Sequence, residues 1–231
     1  IADYAAISRA MQGIDTVVHL AAIKHDLPFE KLKEPNYDGT QNVFRAAEER
    51  GIRRVIFASS IRVDDVSLVR MVKGYPNPVY EYNQDYINVP EQMPKRCFTE
   101  TDMPKPQSPY GYSKAYGELL GRWFAERTGG TAISIRFGAV QTSDNLPEIK
   151  EELNMFLRFC WLSHEDLRQG IEQLISHYEP GHHVFYLVSN NEQNLWLPEN
   201  ARQKLGYAPK SNVETFAREL SDVFSHATGK I

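Results

Sequence analysis

The sequence predicts an α/β protein built on a parallel sheet, and three observations carry that prediction. Short apolar runs rich in β-formers alternate with helical patterns along the 231 residues, the order expected when helices cross over between parallel strands. The strand-like runs are apolar at nearly every position rather than at every second one, as in strands covered on both faces. The chain also shows no internal repeat and no low-complexity tract.

Each element has its own signal. Asp15 to Ala22, DTVVHLAA, reads as the first strand and ends in small residues. Asn36 to Gly51 places Val43, Phe44, Ala46 and Ala47 at helical spacing, with Gly51 as a stop, and so predicts a crossover helix. Arg53 to Ser60, RRVIFASS, is the second strand. Ser108 followed by Pro109 is an N-cap and first-turn pair, opening a helix that carries Tyr110 and Lys114 on one face. Thr131 to Ala139 is the third strand. Ser163 caps a helix reaching His177, with acids in its first turn, and leads into a strand at His183 to Ser189. Val213 to Phe224 closes the chain as an amphipathic helix. Arg62 to Gln107 breaks the rhythm: it is rich in Pro, Tyr and Asn and not periodic, and a connection of that length is usually functional or disordered.

Composition narrows the function. With 42% hydrophobic and 11% aromatic residues, the chain can bury one sizeable core and a small appended lobe. A net charge of -4 without a Lys/Arg block gives no electrostatic footprint for nucleic acid or an anionic membrane. No apolar run reaches the roughly 18 residues of a membrane span. Cys97 and Cys160 are the two cysteines; they signal neither a disulfide framework nor a zinc site and fit a reducing cytoplasm. His182 and His183 sit at a strand start and the other histidines are scattered, so structural or surface roles are expected and no metal site.

The chemistry is concentrated in SPYGYSKAYGE, Ser108 to Glu118. A free phenol has a pKa near 10, so using Tyr110 as a base at pH 7 requires about 4 kcal/mol. A lysine ammonium about 4 Å away at an effective dielectric of about 20 supplies roughly that much. Ser60, at the carboxyl end of a strand, is placed to hold the same substrate oxygen, because open α/β sheets bind ligands at that edge. A Tyr-x-x-x-Lys pair by itself also arises by chance as two surface residues of a helix, so context has to decide.

The context is a resemblance at four ordered places: DTVVHLAA, then NYDGTQNVFRAAEERGIRRVIFASS, SPYGYSKAYGE and IRFGAV. Together they span most of Asp15 to Val140 and resemble the extended short-chain dehydrogenase/reductase family, also called the NAD-dependent epimerase/dehydratase family. The resemblance implies a Rossmann-like doubly wound sheet, with residues 1–140 as a partial NAD(P)-binding domain and 141–231 as a small substrate-binding and C-terminal region. It implies Tyr110 as catalytic base, Lys114 as the group that tunes it and holds the nicotinamide ribose, and Ser60 as the catalytic hydroxyl, with Ser59 as fallback. Leu20, Ala21, Ala22, Asn36, Ser59, Phe137 and Gly138 match positions lying along the cofactor. For Leu20 to Ala22 strand-end packing is the alternative, and for Asn36 it is helix capping. The cofactor implied is NAD, with NADP left open.

Two departures stand out. SSIRVDDVSL lacks the Tyr-Gly that usually follows Val63, and no Gly-x-x-Gly-x-x-Gly or Gly-x-Gly-x-x-Gly occurs in the chain. The family carries that fingerprint on its first strand-helix turn, where pyrophosphate needs close backbone approach and a helix N-terminus. The resemblance therefore starts just after the family's third strand. A fragment lacking about sixty residues is expected, with its Thr16 to Leu20 strand left as an edge and little NAD binding or activity by itself.

Only about two dozen residues separate the RFG strand from WLSHEDLRQGI, too few for the lobe that holds a nucleotide in nucleotide-sugar enzymes. This short layout resembles the uronate dehydrogenases, which oxidise a free hexuronic acid at its anomeric carbon. A carboxylate substrate calls for an arginine, and Arg158 lies near the position expected, although a surface role explains it as well. The leading expectation is an NAD(P)-dependent dehydrogenase of a sugar or sugar acid. The alternatives are a nucleotide-sugar epimerase or dehydratase, and a non-catalytic binding protein on the same fold. A homodimer through the helix of Tyr110 is the assembly the resemblance implies.

Overall fold

The computed structural model describes residues 1–24, 27–64, 97–142, 144 and 157–215. Four strands, β1 (Thr16–His19), β2 (Arg54–Ser60), β3 (Thr131–Phe137) and β4 (Gly181–Leu187), form one parallel sheet in the order β1-β2-β3-β4. In register, Val18 lies opposite Ile56, Ile56 opposite Ile133, and Ile133 opposite His183. β2 is buried along its whole length and β3 from Thr131 to Arg136, which explains why neither alternates polar with apolar residues. β1 is an edge of the sheet among the described residues, and Val18 and Leu20 are exposed there.

Helices cover both faces. On one side lie α1 (Tyr4–Ala10), α3 (Gly39–Glu49) and α4 (Pro109–Thr128), packed through Val43, Phe44, Phe57, Leu120 and Phe124. On the other, α5 (His164–Ser176) packs its Leu174 into a cluster with Ile56, Ile133, Ile135 and Phe185. Each fully buried side chain of this size contributes about 1.5–3 kcal/mol. A third cluster, including Ile61, Trp161, Tyr186, Trp196 and Val213, sits around the end of β4.

The termini of the helices follow the sequence signals. Ser108 Oγ accepts from the N–H of Gly111 at 3.2 Å, and Gly129, at φ 61°, ends α4 in the left-handed conformation that favours glycine. Ser163 Oγ accepts from Asp166 N–H at 3.1 Å at the start of α5. Several boundaries move: β1 is shorter than Asp15 to Ala22, and β3 and β4 end two residues earlier than expected, at Phe137 and Leu187. The crossover helix begins not at Asn36 but at α2 (Phe29–Leu32), passes through a wide π-type turn at Lys33–Asp38, and continues as α3. Asn36 is therefore inside a helical run and caps nothing. β4 likewise starts at Gly181, before His183. The Val213 to Phe224 helix and the Arg62 to Gln107 tract fall largely outside the described residues. No helix among the described residues is long and apolar enough to cross a membrane.

Candidate active site

The site is assembled at the carboxyl edge of the sheet by the close approach of α4. An added Cβ at Gly117 would lie 2.2 Å from the Phe57 ring, and one at Gly111 would lie 2.4 Å from the Arg62 carbonyl oxygen. The missing side chains let α4 settle onto β2, with its first turn against the 3₁₀ turn Ile61–Val63 that follows Ser60. That brings Lys114 against β2, two residues before its end at Ser60. The Lys114 ammonium, buried, donates to Ala58 O at 2.8 Å and lies 5.5 Å from the centre of the Tyr110 ring. Burial pulls its pKa down to about 8, so it remains mostly charged at neutral pH. Ser60 Oγ accepts the Arg62 N–H at 3.2 Å, and the residue is buried at the end of β2.

Asn36 holds the loop after β1 to α4. Its Oδ1 accepts from Ile23 N–H at 2.8 Å, while its Nδ2 donates to Ile23 O at 3.0 Å and to Ser113 Oγ at 3.1 Å. Ser113 in turn donates to Tyr110 O at 2.7 Å. Leu20 and Ala21 are exposed at that loop. Gly138 is needed for packing: a Cβ there would be 2.3 Å from Cys160 O. Phe137, at the end of β3, is half-buried. Arg158 is exposed, in the short helical segment 157–160 whose end, Trp161, pairs with Ala139.

Beneath these residues lies a buried charge network that sequence reasoning missed. Glu118 accepts from Ser59 Oγ at 2.6 Å and takes both Nε and Nη2 of Arg136 at 2.9 Å. Arg136 Nη1 reaches Asp64 Oδ1 at 3.1 Å and Tyr186 OH at 2.9 Å. Asp64 Oδ2 accepts from Tyr186 OH at 2.8 Å and Trp196 Nε1 at 2.9 Å. Burial pushes the Asp64 carboxyl up to about 6 against the pull of Arg136, so it is still ionised at pH 7. The network ties β2, β3, β4, α4 and the turn after Ser60 into one rigid unit.

His19 completes the floor. It is buried, meets Thr40 Oγ1 at 3.1 Å, and burial together with the Lys114 charge lowers its pKa to about 4. The unfolded chain binds a proton at His19 below about pH 6.5 and the folded chain does not until about pH 4. The His19 contribution is therefore lost as pH falls from 6.5 to 4, on the order of 3 kcal/mol. Asp64, whose folded pKa is raised from 3.8 to about 6, acts with the opposite sign: its contribution is present below 3.8 and lost as pH rises through 6. Urea midpoints measured from pH 7 to 4 are expected to fall less steeply in His19→Asn than in the parent. Equal slopes would remove His19 from this account.

The residues present fit one half of a dinucleotide. A buried ammonium beside a tyrosine at the strand ends, next to the open Leu20–Ala22 loop, suits the ribose and nicotinamide. For the pyrophosphate the sequence offers no glycine-rich turn.

A parallel sheet covered by helices on both faces, with a buried lysine beside a tyrosine at its carboxyl edge, is the arrangement of a nucleotide-binding α/β protein. The comparisons make this specific. The sequence model of the NAD dependent epimerase/dehydratase family matches residues 1–143, and the chain belongs to that family. It is 30% identical over 220 residues to a uronate dehydrogenase of Pseudomonas syringae pv. tomato, covering 95% of this chain and 68% of the relative. An L-arabinose 1-dehydrogenase (NAD(P)(+)) of Haloferax volcanii is 31% identical over 223 residues, covering 93% and 82%. Among solved structures, a mutant of the Agrobacterium tumefaciens uronate dehydrogenase complexed with NAD superimposes with TM-score 0.71 at 27% identity, covering 96% of this chain and 71% of that one.

Proposed function

We propose that the protein oxidises a sugar or sugar acid, with free uronates as the leading substrate class, in an NAD-dependent reaction. The observation that carries this reading is the buried Lys114 ammonium, held against the strand of Ser60 and 5.5 Å from the Tyr110 ring. A unit negative charge at that separation is favoured by roughly 3 kcal/mol at an effective dielectric of about 20. Tyr110 therefore takes the proton of the sugar hydroxyl, Lys114 steadies the tyrosinate, and Ser60 orients the oxygen. NAD supplies the hydride acceptor. Leu20, Ala21, Ala22, Phe137 and Lys114 would hold its nicotinamide and ribose. Asn36 and Gly138 act one layer back, by fixing the loop after β1 and the chain after β3. The Ser59 hydroxyl is committed to Glu118, which favours Ser60 over Ser59 as the substrate-facing serine.

Residues 1–140 carry the cofactor-side machinery, and residues 141–231 contribute β4 and the substrate side. Arg158 is the candidate partner for a uronate carboxylate, supported by its exposure at the same edge of the sheet. A second copy docking on α4 accounts for the exposed Tyr112, Leu119 and Trp123 along its outer face. A cytoplasmic location agrees with two cysteines that form no disulfide among the described residues.

The test is to incubate the natural full-length protein with NAD and a panel of uronates, aldoses and nucleotide sugars. Stoichiometric NADH at 340 nm with a uronate or aldose is expected. Conversion of a nucleotide sugar without net NADH would instead support an epimerase or dehydratase.

A further inference from the structure

His177 ends α5, Glu179 lies in the turn that follows, and His183 stands in the first half of β4. The fold gathers their side chains at the amino edge of the sheet, opposite the edge occupied by Tyr110. His177 Nε2 is 3.6 Å and His183 Nδ1 4.0 Å from Glu179 Oε2, and the three donor atoms all lie within 4.8 Å of one another. We propose that His177, Glu179 and His183 form a three-ligand site for a divalent transition-metal ion of the zinc class, which clips the end of α5 to the start of β4.

Two imidazoles and one carboxylate are a donor set that zinc accepts, with bonds of about 2.0–2.2 Å. Tetrahedral geometry at that length separates the ligand atoms by roughly 3.4 Å; the 3.6 and 4.0 Å spacings to Glu179 close with a small movement of that exposed side chain, and the two histidine nitrogens, within 4.8 Å of each other, close with a modest turn of the rings. The two rings are already close to that orientation. His183 Nε2 faces Glu179 O at 3.0 Å, the backbone bond that fixes a ligating histidine's tautomer and turns Nδ1 toward the metal. Its ring stacks on Phe185 at an interplanar angle of 10°. His177 stands edge-on to His183 with ring centres 5.3 Å apart. His177 Nε2 is buried and has no hydrogen-bond partner among the described residues, a cost that a metal bond would remove. A cleft lined by Glu172, Ser176, His177 and Lys204 gives the ion a path in.

Two cations oppose binding. Lys204 Nζ sits 3.9 Å from Glu179 Oε2, and the Arg54 guanidinium lies 4.1 Å over the adjacent Tyr178 ring. They weaken the expected affinity, and they provide a signature: removing the Lys204 charge should tighten binding rather than weaken it.

The experiment is calorimetric titration of Zn²⁺ into the metal-stripped protein at pH 7.5, with Co²⁺ absorption spectra as a check on coordination. One saturable site is expected, with visible d–d bands in the Co²⁺ form. At a hundredfold excess over Kd, a rise in Tm of roughly 5 to 10 °C is expected. His177→Ala and His183→Ala should each weaken Zn²⁺ at least tenfold, Lys204→Met should tighten it several-fold, and His164→Ala, on the surface elsewhere, should leave it unchanged. If either histidine variant folds poorly, Glu179→Gln supplies the same test at an exposed position, with the metal-free Tm unchanged. Absence of a saturable site, or parent-like affinity in the ligand variants, would overturn the proposal.

Discussion

Tyr110→Phe is expected to lower kcat by 10²-fold or more while leaving NADH affinity within a few-fold. The substitution removes one oxygen from a half-buried ring at the start of α4 and leaves Lys114, with its bond to Ala58 O, in place. General base catalysis contributes about 10²–10⁴-fold, so loss of that oxygen falls on turnover. Lys114→Ala behaves differently, because it removes both the charge beside the ring and the group proposed to hold the ribose. It should reduce kcat and weaken NADH together. Steady-state rates and NADH titration on the two variants, in the natural full-length protein, separate them. More than about a tenth of the parent rate in Tyr110→Phe would reject Tyr110 as the base.

Arg136→Met is the substitution expected to cost most in stability, about 3–5 kcal/mol. The guanidinium is the sole positive charge named in a network holding both the Glu118 and Asp64 carboxylates, and each of these residues is at most 5% exposed. Removing one partner of a buried pair leaves the other charge uncompensated, which is far worse than never having built the pair. At roughly 2–4 °C per kcal/mol for a domain of this size, Tm should drop on the order of 10 °C. Arg136→Lys should rescue little, because one ammonium cannot replace the fork that meets Glu118 through Nε and Nη2 and Asp64 through Nη1. Urea unfolding at pH 7.5 checks this, and a loss below about 1 kcal/mol would show that the network relaxes or is solvated.

The parts of this fold that were legible in the sequence are those whose cause is local. β2 and β3 are apolar runs because both their faces are covered, and α4 starts at Ser108 because its hydroxyl and Pro109 suit the first turn. Tyr110, Lys114 and Ser60 could be nominated from the sequence because they lie in quotable motifs, and their roles remain part of the proposed function. What was not legible is set by tertiary packing. Asn36 was readable as a position along the cofactor or as a helix cap, yet it sits inside a helical run and reaches across to Ile23 and Ser113. Glu118 and Arg136 looked like ordinary helix and strand polar residues; a charge inside an otherwise apolar strand, as Arg136 is in TAISIRF, was the available hint. His183 was read only as a strand-start residue and His177 as one of the scattered histidines, and the fold brings them together with Glu179 at one edge.

The central claim is that this site removes hydride from a sugar carbon for good, rather than returning it to the same molecule. The most direct measurement follows a hexuronate deuterated at its anomeric carbon through turnover with NAD and the natural full-length protein. The account predicts that the deuterium appears in the NADH at one label per turnover, with a slowed chemical step, and that Tyr110→Phe abolishes the transfer. Deuterium retained in a rearranged or dehydrated sugar, with NAD unchanged, would contradict it.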